Sequence, residues 1–360
     1  MDKYIQGVSV TAGSYMLKWD MMDLYVRQNP IRFQPGDNIN VFINFESIMD
    51  NLFNYKNLNY NINYHKQDLV IELESAILNL VANYKSYFNK EKCKAKIYLY
   101  YTDLESDNQY MRVYNKYYRT YYQNKYTQNP KFRNMGDTLK NIIIPEIILI
   151  LSYIPDAYFI KSTNFDSSII PYIISENNDN KNIIISGDIF DTLYLFNPNF
   201  MTMFIKRKYQ QLTVCVNVDE VIQYIIRNES PFDTNIFKSE MYYKLLLSIN
   251  GSPIRNIKTN KNINYGLLIK SLKEGIDKGI VLKDFESISS IIDIFPDKHK
   301  DDLVSSYKCM SIINQYDMIS DIDKDNICNQ IIDKIDMASL EELNNRRFIN
   351  YPINLQSLLV

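Results

Sequence analysis

Asn182-Ile183-Ile184-Ile185-Ser186-Gly187-Asp188-Ile189-Phe190-Asp191 is the stretch that decides the fold. Three successive isoleucines have no polar partner between them, so the segment Asn182–Ser186 reads as a strand covered on both faces rather than one with a wet side. Ser186-Gly187 then breaks the run, and Asp188 stands where a carboxylate caps the apolar turn that follows. A doubly covered strand passing straight into a helical turn belongs to a parallel sheet sandwiched between helices.

Working backwards, the same alternation recurs. Tyr158-Phe159-Ile160 reads as a strand followed by a helix over Phe165–Glu176, with Asp166 suited to cap it. A helix over Asn141–Tyr153 ends before Pro155, because the residue preceding a proline leaves the helical region. Lys96–Tyr101 reads as a buried strand, and Leu69, Ile71, Leu73, Ile77, Leu80, Val81 and Tyr84 give a helix over 68–90. The first core strand is Asn40–Phe45, running directly into a helix start at Glu46-Ser47-Ile48-Met49.

Residues 1–38, ending in a Pro35-Gly36-Asp37 turn, form an arm whose Tyr15, Met16, Trp19, Met21 and Met22 would bury against a partner or against the body. Residues 39–217 form the α/β domain. From 218 to 360 the pattern is helical: Asp219–Arg227, Lys238–Ile249, Tyr265–Gly275, Leu282–Ile294, Asp301–Tyr316 and Asn326–Ile335, with apolar Phe348–Leu359 packing back. Asp321-Ile322-Asp323-Lys324-Asp325 lacks the glycine and closing glutamate of a calcium loop and reads as a solvated turn.

At 360 residues the chain exceeds one ordinary core. Its apolar runs, such as Ile142–Ile144 and Ile147–Leu151, are broken by Pro145 and Glu146, far short of the roughly 20 residues of a membrane span. Forty Lys and Arg against 42 Asp and Glu give a net charge of -2, so any attraction to nucleic acid must be local. Cys93, Cys215, Cys309 and Cys328 show no paired spacing, and Met1-Asp2-Lys3-Tyr4 opens no signal sequence, so the chain reads as cytosolic with reduced thiols. With only His65 and His299, a structural zinc site is not expected. Thirty tyrosines, and tracts such as Asn57–Tyr64, match AT-rich coding of the kind found in phages and intracellular parasites.

Ligands of doubly wound sheets bind beyond the carboxyl ends of the strands, so the residues just past each strand carry the functional reading. Here they are Asn44-Phe45-Glu46-Ser47, Thr102-Asp103, Asn164-Phe165-Asp166-Ser167 and Ser186-Gly187-Asp188-Ile189-Phe190-Asp191. In order and spacing these resemble the 5′-nuclease family, the flap endonuclease and 5′–3′ exonuclease branch of the PIN-like fold, over roughly residues 40–285. The resemblance implies a PIN-like α/β sheet flanked by helices, followed by an α-helical half. It also places the family's Asp-rich motif on Gly251–Ile257, its DNA-binding hairpin on Asn262–Leu268, and its DNA-gripping arch, with Arg112 and Lys116-Tyr117-Tyr118-Arg119, after Asp103.

Hydrolysis by that family needs several carboxylates holding two divalent ions about 4 Å apart. By resemblance, Asn44, Asn164, Ser167 and Ser252 replace carboxylates, and Arg255 puts a cation where a ligand belongs. Asp166 and Asp188 remain in register, Asp103 matches, and Glu46 and Asp191 are available by displacement. With the partners of Asp188 replaced, a helix cap is the stronger reading for it. Asn262 and Asn264 replace the hairpin glycines that let a backbone approach phosphate.

Three functions are therefore open. The first is a catalytically silent 5′-nuclease-like protein reused as a structural or interaction component with protein partners, in a phage particle or other phage assembly, placed in the host cytoplasm or the virion and needing no cofactor. The second is an active nuclease using Mg²⁺ or Mn²⁺ on Asp103, Asp166, Asp188, Glu46 and Asp191. The third is an accessory protein binding single-stranded DNA weakly through Tyr110–Arg133, whose Arg112, Lys116, Arg119, Lys125, Lys131 and Arg133 are interleaved with seven tyrosines and no acid.

Overall fold

The structure is a computed structural model that describes residues 33–48, 66–102, 144–152, 154–163, 165–176, 178–208, 211–226, 234–252, 265–279, 316 and 319–331. β1 (Asn38–Asn44) leads into a helical turn over 45–48; α1 (Lys66–Lys90), β2 (Lys94–Thr102), α2 (Ile144–Ser152) and β3 (Ala157–Ser162) follow. Next come a 3-10 turn (Ser167–Ile169) continuing into α3 (Ile170–Glu176), β4 (Lys181–Ser186), a 3-10 helix (Ile189–Phe196), β5 (Phe200–Lys208) and β6 (Gln211–Cys215). The remainder is helical: α4 (Val218–Ile226), a 3-10 helix (Thr234–Lys238), α5 (Glu240–Asn250), α6 (Tyr265–Asp277) and α7 (Asp321–Asn329).

The six strands form one sheet in the order β3-β2-β1-β4-β5-β6, parallel except for β6, which turns back antiparallel on β5. The fold is thus α/β, a mainly parallel sheet flanked by helices. Side chains of β1 divide by parity, as the two-residue period of a strand requires. Ile39, Val41 and Ile43 join Ile97, Leu99, Ile183 and Ile185 in a core under α1 and α2. Phe42 points the other way, with Tyr98, Tyr100, Ile184 and Phe204, into a second core shared with α3 to α7. Helices on both sides of residue 217/218 therefore close over one continuous core with the sheet.

Several local expectations shift. The helix expected at Phe165 begins at Ser167, because the Asp166 side chain accepts from Ser168 N and fixes the cap there. The helix expected over Asn326–Ile335 instead spans Asp321–Asn329, and the acidic run expected as a solvated turn is its first turns, capped by Ser320. Carboxylates in a first turn complement the positive end of the helix dipole. Strands β5 and β6 were not foreseen in the sequence reading. Helices expected over Leu282–Ile294 and Asp301–Tyr316 lie outside the described residues, Tyr316 apart, as do residues 1–32 of the arm. Among the described residues no helix is long and apolar enough to cross a membrane.

Two devices hold the sheet at its amino end and its edge. Asn40, fully buried, donates to Asn182 Oδ1 (2.9 Å) and Asn178 Oδ1 (3.2 Å) and accepts from Asn180 Nδ2 (3.1 Å). Edge strand β3 is met by Gln330, whose Oε1 accepts from Lys161 N at 2.8 Å and whose Nε2 donates to Lys161 O at 2.9 Å. Beside the Asn40 cluster, Asp37 closes the Gln34–Asp37 turn and pairs with Lys181 at 2.6 Å; Gly36 at φ 97 makes the turn possible.

Asn40→Ala leaves the buried Asn182 amide without this partner, while Asn178 and Asn180 can turn to water, and urea unfolding is expected to show a loss of about 1–2 kcal/mol. The Lys181 ammonium holds the Asp37 carboxyl below its ordinary 3.8. A lowered carboxyl stabilises the fold above its unfolded pKa and loses that contribution as the pH falls through the folded value. Asp37→Asn should cost less than about 1 kcal/mol at pH 7, since both charges meet water, and should flatten the acid limb of stability below about pH 4.

Candidate functional site

The chain runs outward from β1 to β2 and β3, then returns to place β4 on the other side of β1. The carboxyl ends of β1 and β4 thus mark the switch point where such sheets open a crevice. Asn44 ends β1 and Ser186 ends β4, and the loops beyond them carry Ser47, Asp188 and Asp191.

Asp191 sits in the first turn of the 3-10 helix Ile189–Phe196 and is fully buried. Its Oδ2 accepts from Asn44 Nδ2 at 2.7 Å, Tyr100 OH at 2.9 Å and Ser186 Oγ at 2.5 Å. Since the Ser186 hydroxyl gives its proton to Asp191, its oxygen accepts from Asp188 N at 2.9 Å and faces Ser47 Oγ at 3.1 Å. Ser47 N in turn donates to Asn44 Oδ1 at 3.0 Å. Burying a carboxylate is costly unless donors replace its water, and three do so here.

Asp188 is the cap of the same helix: its Oδ1 accepts from Phe190 N at 3.1 Å and from Ser252 Oγ at 2.9 Å. Ser252 arrives from just beyond α5, where Gly251 at φ 68 turns the chain toward the strand ends. A second group forms around Thr102 at the end of β2. Glu46 Oε1 accepts from Thr102 N at 3.3 Å, and Thr102 Oγ1 accepts from Ser167 N at 2.9 Å, next to the Asp166 cap that takes Ser168 N at 2.9 Å and the Ser168 hydroxyl.

The structure therefore brings Asn44, Ser47, Ser186, Asp188, Asp191 and Ser252 into one connected network, with Glu46 and Asp166 in the neighbouring one. Asp103, Asn164, Arg255, Asn262, Asn264 and the arch residues Arg112, Lys116, Arg119, Lys125, Lys131 and Arg133 lie outside the described residues. Tyr100 is a site residue that the sequence reading missed, and Thr102 was placed at a strand end without a role. Tyr100 pairs in register with Asn44 across β1 and β2, a relation visible only once the strands are aligned.

The described carboxylates of this region are engaged by proton donors. Among the described residues no group of three or more His, Cys, Asp or Glu is arranged to hold a metal. Hard cations take several anionic or carbonyl oxygens, whereas Asp191 is met by an amide N–H and two hydroxyl protons, and Asp188 by a backbone N–H and a hydroxyl. Ser47 and Ser186 are each 2% exposed.

Asp191→Ala leaves three buried donors facing a void and is expected to cost about 3–5 kcal/mol, with Asp191→Asn intermediate. Chemical denaturation in EDTA checks this. A carboxylate whose role is to hold a metal would instead leave the metal-free protein as stable or more stable when replaced.

No known protein-family model matches the chain, and no curated protein does. Among solved structures it is similar to the catalytic core of Rad2 in complex with DNA substrate, at a TM-score of 0.42 and 13% sequence identity, over 94% of this chain and 96% of that one.

Proposed function

We propose that the chain is a catalytically silent 5′-nuclease-like protein, retained as a structural or interaction component of a larger assembly. The observation that carries this reading is the state of Asp191. A carboxylate that is fully buried and triply donated is spent on joining β1, β2 and β4 to the 3-10 helix. Asn44 and Ser252 support it, because each supplies a proton donor where the resemblance calls for an anion. The phage particle is the setting that the AT-rich composition favours.

The test is a Mn²⁺ titration by calorimetry with a flap and single-strand DNA cleavage assay in the same buffer. No saturable heat and no cleavage are expected, with Asp188→Ala indistinguishable from the parent in both. Tight binding with cleavage abolished by Asp188→Ala overturns the reading and makes the protein a nuclease with a rearranged site.

The composition of Tyr110–Arg133 favours a second reading, a DNA-binding accessory protein. It predicts single-strand binding that weakens steeply with salt and falls with Lys116→Ala and Arg119→Ala; a flat salt response rejects it.

A further inference from the structure

On the helical side of the sheet a cavity of about 250 Å³ is lined by Tyr172, Leu193, Tyr194, Phe196, Glu240 and Lys244, with Asn197 and Pro198 completing the wall. It lies at the opposite end of the 3-10 helix Ile189–Phe196 from Asp191 and shares none of the residues of the strand-end network. It is smaller than the pockets that take drug-sized ligands, so it suits a single head group.

Three rings and Leu193 make the wall apolar. Charge enters from α5, where Glu240 Oε1 meets Lys244 Nζ at 2.6 Å one helical turn away. The lysine side chain is only 9% exposed and the glutamate 32%, so the carboxylate is the charge that solvent and ligand meet. Lys244 is the ion-pair partner that the carboxylate has among the described residues.

Each ligand class can be weighed against that arrangement. An anion is repelled by Glu240. A neutral apolar group strips water from the part-exposed Glu240 carboxylate and replaces it with nothing. A cation sheathed in methyl groups satisfies both surfaces, its charge against the carboxylate and its apolar sheath against the aromatic wall, where cation–π attraction adds to burial.

We propose that this cavity recognises an alkylammonium head group, carried by a small molecule or by a methylated lysine side chain. Lys244 tunes the affinity, because its ammonium shares Glu240 with the ligand and repels it. The two charged residues thus act with opposite signs, a pattern that a merely apolar pocket does not produce. The proposal stands independently of the silent-site reading.

The experiment titrates the full-length protein with choline and with its neutral carbon isostere 3,3-dimethyl-1-butanol, following aromatic ring resonances by NMR. Saturable choline binding is expected, with the isostere about tenfold weaker. Glu240→Gln should weaken choline several-fold, and Lys244→Met should strengthen it. Comparison of choline with a trimethyllysine tripeptide identifies the source of the head group, the tighter binder marking it; binding of either supports the site. Equal binding of the neutral isostere, or no saturable binding by either cation, overturns the proposal without recourse to any variant. Loss or gain of affinity in the same direction for both substitutions overturns it as well.

Discussion

A buried carboxylate must be given, by the protein, the hydrogen bonds that water would have given it. At Asp191 that requirement is met from three strands at once, by Asn44 of β1, Tyr100 of β2 and the terminal serine of β4. Parallel strands have no tight turns to set their relative positions, so the ends of β1, β2 and β4 depend on contacts of this kind. The charge draws its donors to one point, and the 3-10 helix that carries it is held against the carboxyl edge of the sheet. Asp188 repeats the device one turn earlier by drawing Ser252 down from the end of α5. The helical half and the sheet are thereby fastened at the place where doubly wound folds otherwise open a crevice.

Much of this was legible in the sequence because it depends on local pattern. β1, β2 and β4 are continuous apolar runs, and strands covered on both faces can hardly read otherwise. Asp166 and Asp188 were readable as caps because a capping side chain acts only on backbone two or three residues ahead. What stayed hidden depends on partners distant in the chain. β5 starts as a covered strand and runs on into Lys206, Arg207 and Lys208, and β6 is five residues long, so neither shows a clean period. Tyr100 is one of 30 tyrosines, and nothing local separates it from those that only fill the core.

Composition and structure are not rivals in this chain. Asparagine is abundant, and four of these residues, Asn40, Asn178, Asn180 and Asn182, hydrogen-bond with one another, the buried Asn40 and Asn182 with the more exposed Asn178 and Asn180. An amide carries both a donor and an acceptor, so a cluster of them can close on itself without importing charge. Here the cluster joins the buried amides of β1 and β4 to the residues that lead into β4.

The last consequence concerns Gln330. A side-chain amide has the same donor and acceptor pair as a peptide group, and here it meets the backbone N–H and C=O of Lys161 together. It serves as a strand one residue long. Exposed sheet edges recruit further strands, their own copies included. Gln330, the residue just past α7 and 169 positions along the chain from Lys161, occupies that pair of groups on β3. A residue late in the chain thus supplies the two hydrogen bonds that a neighbouring strand would have given to Lys161.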